Sequence, residues 1–240
     1  MDWEFGAASD PNASSEILES LFQDKQYWGR LAENPSTPSH ALQKLSFAST
    51  YEESEAELMT KIFGYLLKNP SSSSDAIVRV LDWVEENQIE LSKDLHPMQA
   101  QALEQHHWLA ASNPNTPVSY LRKFSKSEYE TTIFWLGQNP SLPKDVIKFY
   151  VDNLLGSVEH EICHRWGRIA TNISLDEETI ERLSKHKLYW VREGIARNTT
   201  TPERILMELA NDDEVLVISG LIWNPNFPTS GFQYLINRVT

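Results

Sequence analysis

A single cysteine, Cys163, stands among the 240 residues. No intramolecular disulfide can form, and such a chain suits a reducing compartment. The first residues, Met1-Asp2-Trp3-Glu4-Phe5, offer neither a basic run nor an apolar stretch that could serve as a secretory signal, so the expected location is the cytoplasm. Long apolar runs are missing as well: Leu154-Leu155 and Val215-Leu216-Val217-Ile218 are soon flanked by polar residues, and no contact with a membrane is expected. Glycine is scarce, with nine residues in all. None builds a Gly-x-Gly-x-x-Gly turn, a phosphate-cradling Gly-Lys-Ser/Thr loop or a Gly-x-Ser-x-Gly elbow, and His-Glu-x-x-His is absent too. The expectation is a protein without enzymatic activity and without a cofactor.

The nearest thing to a metal site is His160-Glu161-Ile162-Cys163-His164, with His106-His107 as distant companions. On a helix His160 and His164 share one face and Cys163 does not, and no second ligand pair follows at a recognised spacing. A buried cysteine with surface histidines is the expected outcome, and no metal is assigned.

Charge of one sign is plentiful. The formal charge is −13, and residues 1–100 carry 7 Lys/Arg against 17 Asp/Glu, while 101–240 carry 14 against 17. The first hundred residues therefore hold −10 of the total (7 − 17). Such a surface repels phosphate backbones and anionic lipid and attracts basic proteins; it also serves solubility alone.

The most regular feature is a recurring asparagine: Asn34, Asn69, Asn113, Asn139, Asn172, Asn198 and Asn224, five of them followed by proline. The steps are 35, 44, 26, 33, 26 and 26 residues, so a unit of 26 recurs with insertions of 9, 18 and 7 (35 − 26, 44 − 26, 33 − 26). Asp10-Pro11 opens a degenerate first unit. Eight residues after each asparagine stand Leu42, Ile77, Leu121, Ile147, Ile180, Leu206 and Phe232, and three further on Leu45, Val80, Phe124, Tyr150, Leu183, Leu209 and Leu235. That i, i+3 pair is the core stripe of one helix per unit. Thr37-Pro38, Thr116-Pro117 and Thr201-Pro202 predict a threonine N-cap with proline at the first helical position. A second apolar segment, such as Leu31-Ala32 or Ile195-Ala196, precedes each asparagine, and its small residues allow helices to approach closely. Asn-Pro then ends that helix, and the side-chain amide is expected to form an Asx turn. Seven copies point to a structural device; one active site does not need seven.

Ala111-Ser112-Asn113-Pro114-Asn115-Thr116-Pro117, and Trp190-Val191-Arg192-Glu193-Gly194-Ile195-Ala196-Arg197-Asn198, resemble the leucine-rich repeat variant family. The resemblance extends from Asp10 to Val239. It implies an all-α fold, a right-handed α-solenoid of about eight short units, each pairing an α-helix with a shorter α or 3₁₀ helix. Some members of that family carry a cysteine cluster for an iron–sulfur centre; with Cys163 alone this chain cannot hold one. The expected organisation is a single repeat array over 1–240, with insertions near 49–61, 82–105 and 151–163.

The first two insertions hold much of the excess acid, and the candidate partner-binding residues are Glu52, Glu53, Glu55, Glu57, Asp82, Trp83, Glu85 and Glu86. If they project from one side, they form a surface for a basic protein, with Trp83, Trp3 or Tyr51 as aromatic anchors; otherwise they are solvated helix faces. Trp28 and Trp166 lie six residues before their asparagines, and Trp108 and Trp135 five and four before, a register that favours packing between repeats over base stacking. Residues 160–204 bring eight Lys/Arg, among them Arg165, Arg168, Arg182, Arg192, Arg197 and Arg204, against seven Asp/Glu. That near-neutral balance disfavours nucleic acid as a partner, and a duplex-binding or repair solenoid requires the arginines to segregate onto one face. The function expected is a protein-binding scaffold for a basic partner, in the manner of an immunity protein or antitoxin.

Overall fold

The computed structural model describes residues 3–47, 50–94, 97–127, 129–156 and 167–239, with the backbone alone at 53, 87–104, 167 and 239. All regular structure among the described residues is helical. The chain divides into two compact units, Met1–Phe124 and Ser125–Thr240.

The first unit runs α1 (Trp3–Ser9), α2 (Ser15–Leu21), a 3₁₀ turn Lys25–Tyr27, α3 (Trp28–Glu33), α4 (Ser39–Leu45), a 3₁₀ turn Glu53–Glu55, α5 (Ala56–Lys68), α6 (Ser74–Asp94), α7 (Pro97–Ser112) and α8 (Val118–Phe124). The second runs α9 (Glu130–Leu136), α10 (Lys144–Gly156), a 3₁₀ helix Gly167–Thr171, α11 (Glu177–Ser184), α12 (Tyr189–Arg197), α13 (Glu203–Leu209), α14 (Val215–Ile222) and α15 (Thr229–Val239). Helices that precede an asparagine stack on one another: α1, α3, α5 and α7 in the first unit, the 3₁₀ helix, α12 and α14 in the second. The helices that follow each asparagine form the other layer. An all-α helical repeat is thus what the residue pattern builds.

The asparagine is the joint of the repeat. In all seven copies Oδ1 accepts the backbone N–H two residues on, at 2.8 to 2.9 Å, which is the expected Asx turn. The amide nitrogen does something the pattern alone did not reveal. At Asn34, Asn69, Asn113, Asn172, Asn198 and Asn224, Nδ2 donates to two carbonyls of the preceding repeat: that of its asparagine (Asp10 in the case of Asn34) and that of the residue two before. Those two carbonyls sit at a helix end, where no intrahelical N–H reaches them. Each side chain is buried, so the amide satisfies groups that water cannot.

A second rung runs beside the first. Ser71 Oγ donates to Pro35 O at 2.5 Å, Asn115 Nδ2 to Pro70 O at 2.7 Å, Ser174 Oγ to Pro140 O at 2.7 Å and Asn226 Nδ2 to Thr199 O at 2.6 Å, and Ser36 Oγ bonds Pro11 O likewise. At Pro35, Pro70, Pro140 and Thr199 the residue after the asparagine is thus used through its carbonyl, and proline, lacking an N–H, leaves no donor unpaired there. Asp10 takes the corner position of the degenerate first unit: its Oδ1 accepts Asn12 N at 2.8 Å. A carboxylate keeps the acceptor half of the device and lacks the donor half.

The expected threonine caps are not what the structure builds. Pro38 and Pro202 are themselves the N-caps of α4 and α13, in extended conformation with ψ of 137° and 145°. The threonine before the proline turns back in two of the three copies: Thr116 Oγ1 donates to Ala110 O at 2.6 Å and Thr201 Oγ1 to Ile195 O at 2.7 Å, while Thr37 Oγ1 has no such bond among the described residues. The hydroxyl closes a carbonyl at the end of the preceding helix. Side-chain N-caps occur where proline is absent, as at Ser14 for α2 and Asp176 for α11.

The core stripe is buried at Leu42, Ile77, Leu121, Ile147, Ile180 and Leu206, and three residues on at Leu45, Val80, Phe124, Tyr150, Leu183 and Leu209. Phe232 departs from the expectation: on α15 it is exposed, its ring against Phe227, because no later described helix lies over it. Close approach of the stacked helices depends on glycine at two places. A Cβ on Gly194 would lie 2.7 Å from Ala170 Cβ, and one on Gly220 would lie 3.0 Å from Ala196 Cβ. The insertions near 49–61 and 82–105 become the Glu53–Glu55 turn with the start of α5, and the extended α6 and α7; that near 151–163 begins as the end of α10 and continues outside the described residues.

Candidate functional site

The acidic candidates are placed by two different elements. Glu52, Glu53 and Glu55 belong to the 3₁₀ turn that starts α5. Glu55 is structural: its carboxylate accepts the Glu52 N–H at 2.9 Å and holds Lys25 Nζ at 2.8 Å. The backbone bond at Glu52 and then the Lys25 bond pull the Glu55 pKa down, and Glu55 in turn raises that of Lys25. Glu52 is exposed, 4.0 Å from Lys25. The side chain of Glu53 lies outside the described atoms. Glu57 looks into a groove of about 800 Å³ between α5 and α7, where Lys61 and Lys68 outnumber it beside Tyr65 and Trp108.

Asp82, Trp83, Glu85 and Glu86 sit on α6. Glu85 is engaged by Lys123 Nζ at 2.5 Å, and Asp82 accepts from the Tyr120 hydroxyl at 2.5 Å. Burial, then the Asp82 bond, push the Tyr120 phenol well above its ordinary pKa. Asp82, Trp83 and Glu86 line a second groove, about 400 Å³, together with Phe47, Asp75 and Arg79. Arg79 lies flat over Phe47, its guanidinium carbon 3.8 Å from the ring centre. Trp83 packs edge-on to Phe63 at 5.3 Å, ending an aromatic row that runs Phe22, Trp28, Tyr51, Phe63, Trp83.

The eight candidates therefore do not form one surface. Glu57 falls in a groove where lysines dominate, Glu55 and Glu85 are held in ion pairs, and Asp82, Trp83 and Glu86 share the α4/α6 groove. Asp75 and Arg79 belong to that groove and were not singled out from the sequence. The signal was there: residues 75, 79, 82, 83 and 86 fall at i, i+4, i+7, i+8 and i+11, one face of one helix.

Trp28 packs between repeats as its register suggested: it is buried, with Nε1 donating to Phe22 O at 2.9 Å. His160, Cys163, His164, Arg165 and Trp166 lie outside the described residues, and no metal-binding cluster of His, Cys, Asp or Glu occurs among the described ones. His106 is buried and His107 is tilted against Phe124 at 5.4 Å, its pKa lowered mainly by burial. No described helix is long and apolar enough to cross a membrane.

The arginines of the second unit are mostly committed to carboxylates. Arg192 makes a bidentate pair with Asp212, at 2.6 and 2.9 Å, and donates to His186 O and Lys187 O. Arg197 holds Glu193 at 2.9 Å; Arg204 holds Glu177 and Glu181 at 2.9 and 2.7 Å. Lys185 and Arg204 together bring the Glu181 pKa down to about 2. Arg238 reaches Ala210 O, Asp212 O and Asp213.

Fold and grooves together define an all-α helical-repeat protein that presents surfaces. No protein-family profile matches the chain, and no curated protein matches it. Among solved structures it is similar to the crystal structure of an engineered protein from a structural genomics consortium, with 14% identity over 98% of this chain and 76% of the other and a TM-score of 0.38.

Proposed function

We propose that this protein is a non-enzymatic, cytoplasmic scaffold of the leucine-rich-repeat-variant kind that binds a basic protein through the α4/α6 groove, as an immunity protein or antitoxin binds its target. The observation that carries this reading is the chemistry of that groove. Asp75, Asp82 and Glu86 present three carboxylates on one helix face beside Trp83 and Phe47, against one cation, Arg79, which covers the Phe47 ring, in the unit that holds most of the negative charge. A Lys or Arg side chain docking there lays its methylenes on the aromatic wall and its charge among the carboxylates. Long-range attraction to the acidic first unit speeds the encounter. The arginine pairing in the second unit weighs against the duplex-binding alternative, because arginines already bridged to carboxylates release no counterions from a phosphate backbone.

The test is capture of partners by the tagged full chain from lysate of the source organism at low and high salt, repeated with Asp75→Lys/Glu86→Lys. Among the described residues neither is engaged in an ion pair, so the substitutions break none of the pairs described above. A stoichiometric basic protein is expected, lost at high salt and bound at least about tenfold more weakly by the variant. Glu57→Lys, in the other groove, should leave it bound. Unchanged affinity and salt dependence in the double variant rule the reading out, and nucleic acid recovered in place of a basic protein moves the weight to the second unit.

A further inference from the structure

In the second unit, the groove between α9, the Gly167–Thr171 helix and α12 holds a cation that no described residue satisfies. Arg168 stacks over Phe134, guanidinium carbon to ring centre 4.5 Å. It is half-buried, and no described residue accepts a hydrogen bond from it or pairs with it. Arg197 beside it and, elsewhere in the unit, Arg192 and Arg204 each hold a carboxylate, and Arg182 is exposed to solvent. Burial pushes the Arg168 pKa below the ordinary arginine value; Glu193 opposes this and Arg197 adds to it. No Arg168 nitrogen is among the buried atoms that lack a partner, so the guanidinium still reaches solvent, and an anion entering the groove would replace that water with a charge-assisted bond.

The surroundings are shaped for one. The groove measures about 370 Å³ and is lined by Phe134, Arg168, Trp190, Glu193, Gly194 and Arg197. Gly194 occupies the register position, four before the asparagine, that Arg168 itself fills one repeat earlier, and it lets α12 approach Ala170 and Thr171 closely, so that Trp190, Glu193 and Arg197 of α12 line the groove around the guanidinium. Glu193 is already bonded to Arg197 at 2.9 Å, which leaves the two arginines and one glutamate with a net charge of +1.

We infer that this groove recognises a carboxylate, the Asp or Glu side chain of a peptide segment on a partner protein. The guanidinium takes the carboxylate in a two-pronged bond, while Trp190 and Phe134 wall in the methylenes that carry it. A net +1 is matched by a monoanion. A phosphate dianion would leave uncompensated negative charge in a half-buried groove of a chain that carries −13, and a polyphosphate backbone would be repelled by the rest of the molecule. The site is independent of the α4/α6 groove and stands or falls without it.

The experiment is an NMR titration of the full chain, following arginine Nε–H and tryptophan Nε1–H signals. The probes are acetyl-Ala-Leu-Glu-Ala-amide, its Gln counterpart and inorganic phosphate, at matched ionic strength. The glutamate peptide is expected to shift the Arg168 and Trp190 signals saturably at millimolar concentration, and the Gln peptide to leave them in place. Arg168→Gln should abolish the shift, and Arg168→Lys, which keeps the charge but not the fork, should weaken it about tenfold. Equal shifts with the Gln peptide, tighter saturation with phosphate, no saturable shift, or an unchanged shift in either variant each overturn the assignment. Thermal melts of both variants establish that they are folded.

Discussion

Asn198 tests the ladder most directly. Its Nδ2 donates to Ala170 O at 3.1 Å and Asn172 O at 2.9 Å, and its Oδ1 accepts Thr200 N at 2.9 Å and Thr200 Oγ1 at 2.7 Å. Asn198→Ala leaves two buried carbonyls and an N–H without this partner. Asn172 O keeps the Leu175 N–H at 3.3 Å, so two groups are stranded, and at about 1 kcal/mol each the loss is about 2 kcal/mol, or a shift of roughly 1 M in the urea midpoint at ordinary denaturant sensitivity.

Asn198→Asp separates the two halves of the device. It keeps the acceptor for Thr200 and sets an ionised oxygen against two carbonyl oxygens, at a cost of about 2–3 kcal/mol beyond the alanine variant. That excess belongs to the charged form only, so it raises the folded-state pKa above the ordinary carboxylate value. The sign follows. Below about pH 4 the carboxyl is protonated in both folded and unfolded chains, and the excess is absent. It grows as the pH rises and is complete above the raised folded pKa. Urea melts of wild type, Asn198→Ala and Asn198→Asp between pH 4 and 7.5 measure it. A loss under about 1 kcal/mol in the alanine variant, or a pH-independent gap between the two variants, refutes the ladder as a source of stability. Asp10→Asn is the companion: the acceptor survives and stability should change by less than about 0.5 kcal/mol.

Three further outcomes follow from local geometry. Gly29 has nothing within 4 Å of an added Cβ, whereas Gly194 meets Ala170 Cβ at 2.7 Å; Gly29→Ala should stabilise by about 0.5–1 kcal/mol and Gly194→Ala destabilise by about 1–2 kcal/mol in thermal or urea melts. Thr37 is buried and its hydroxyl has no hydrogen-bond partner among the described residues, while Thr201 bonds Ile195 O. Thr37→Val should therefore be neutral or stabilising, and Thr201→Val should cost about 1–2 kcal/mol; equal losses would contradict the assignment. Asp212 is held by Arg192 and its pKa is lowered, chiefly by that bond. The stability it contributes is present above the unfolded carboxylate value and lost as the pH falls through the lower folded value, so Asp212→Asn should cost about 3 kcal/mol at pH 7 and progressively less below about pH 4.

The repeat period, the two layers and most of the core were legible because they depend on side-chain periodicity, which survives in one dimension. Leu42 and Leu45, or Leu206 and Leu209, announce a buried helical face without any knowledge of what covers it. The amide donors of the asparagines were not legible. Their acceptors lie 24 to 46 residues away in the chain, and nothing local distinguishes an asparagine that merely turns the chain from one that also bonds the previous turn. The threonine caps were misplaced for a related reason: Thr-Pro fits both an N-cap followed by N1 and a back-bonded hydroxyl followed by an N-cap, and only the extended ψ of Pro38 and Pro202 separates them. The acidic candidates followed charge density, which ignores that Glu55 and Glu85 have lysine partners brought from Lys25 and Lys123.

Stability and the two proposed recognition grooves occupy different residues in this molecule. At the corner, the asparagine amide, its backbone carbonyl and the donor two residues later are used up between neighbouring repeats, and a group fully bonded to its own chain has little left to offer a ligand. What changes from repeat to repeat lies elsewhere. Four residues before the asparagine the chain carries in turn Arg30, Tyr65, Leu109, Trp135, Arg168, Gly194 and Gly220, while the asparagine itself never varies among the seven. Glycine at that position lets the stacked helices approach closely, as at Gly194 and Gly220, at the cost of helix propensity. The Arg168 groove arises where a long cation at this position is followed, one repeat later, by glycine. The α4/α6 groove arises where α6 was lengthened and its acidic face continued past the ordinary unit. Each is a local departure from the period, set on corners that stay the same, and each can therefore be altered without unmaking the repeat that supports it.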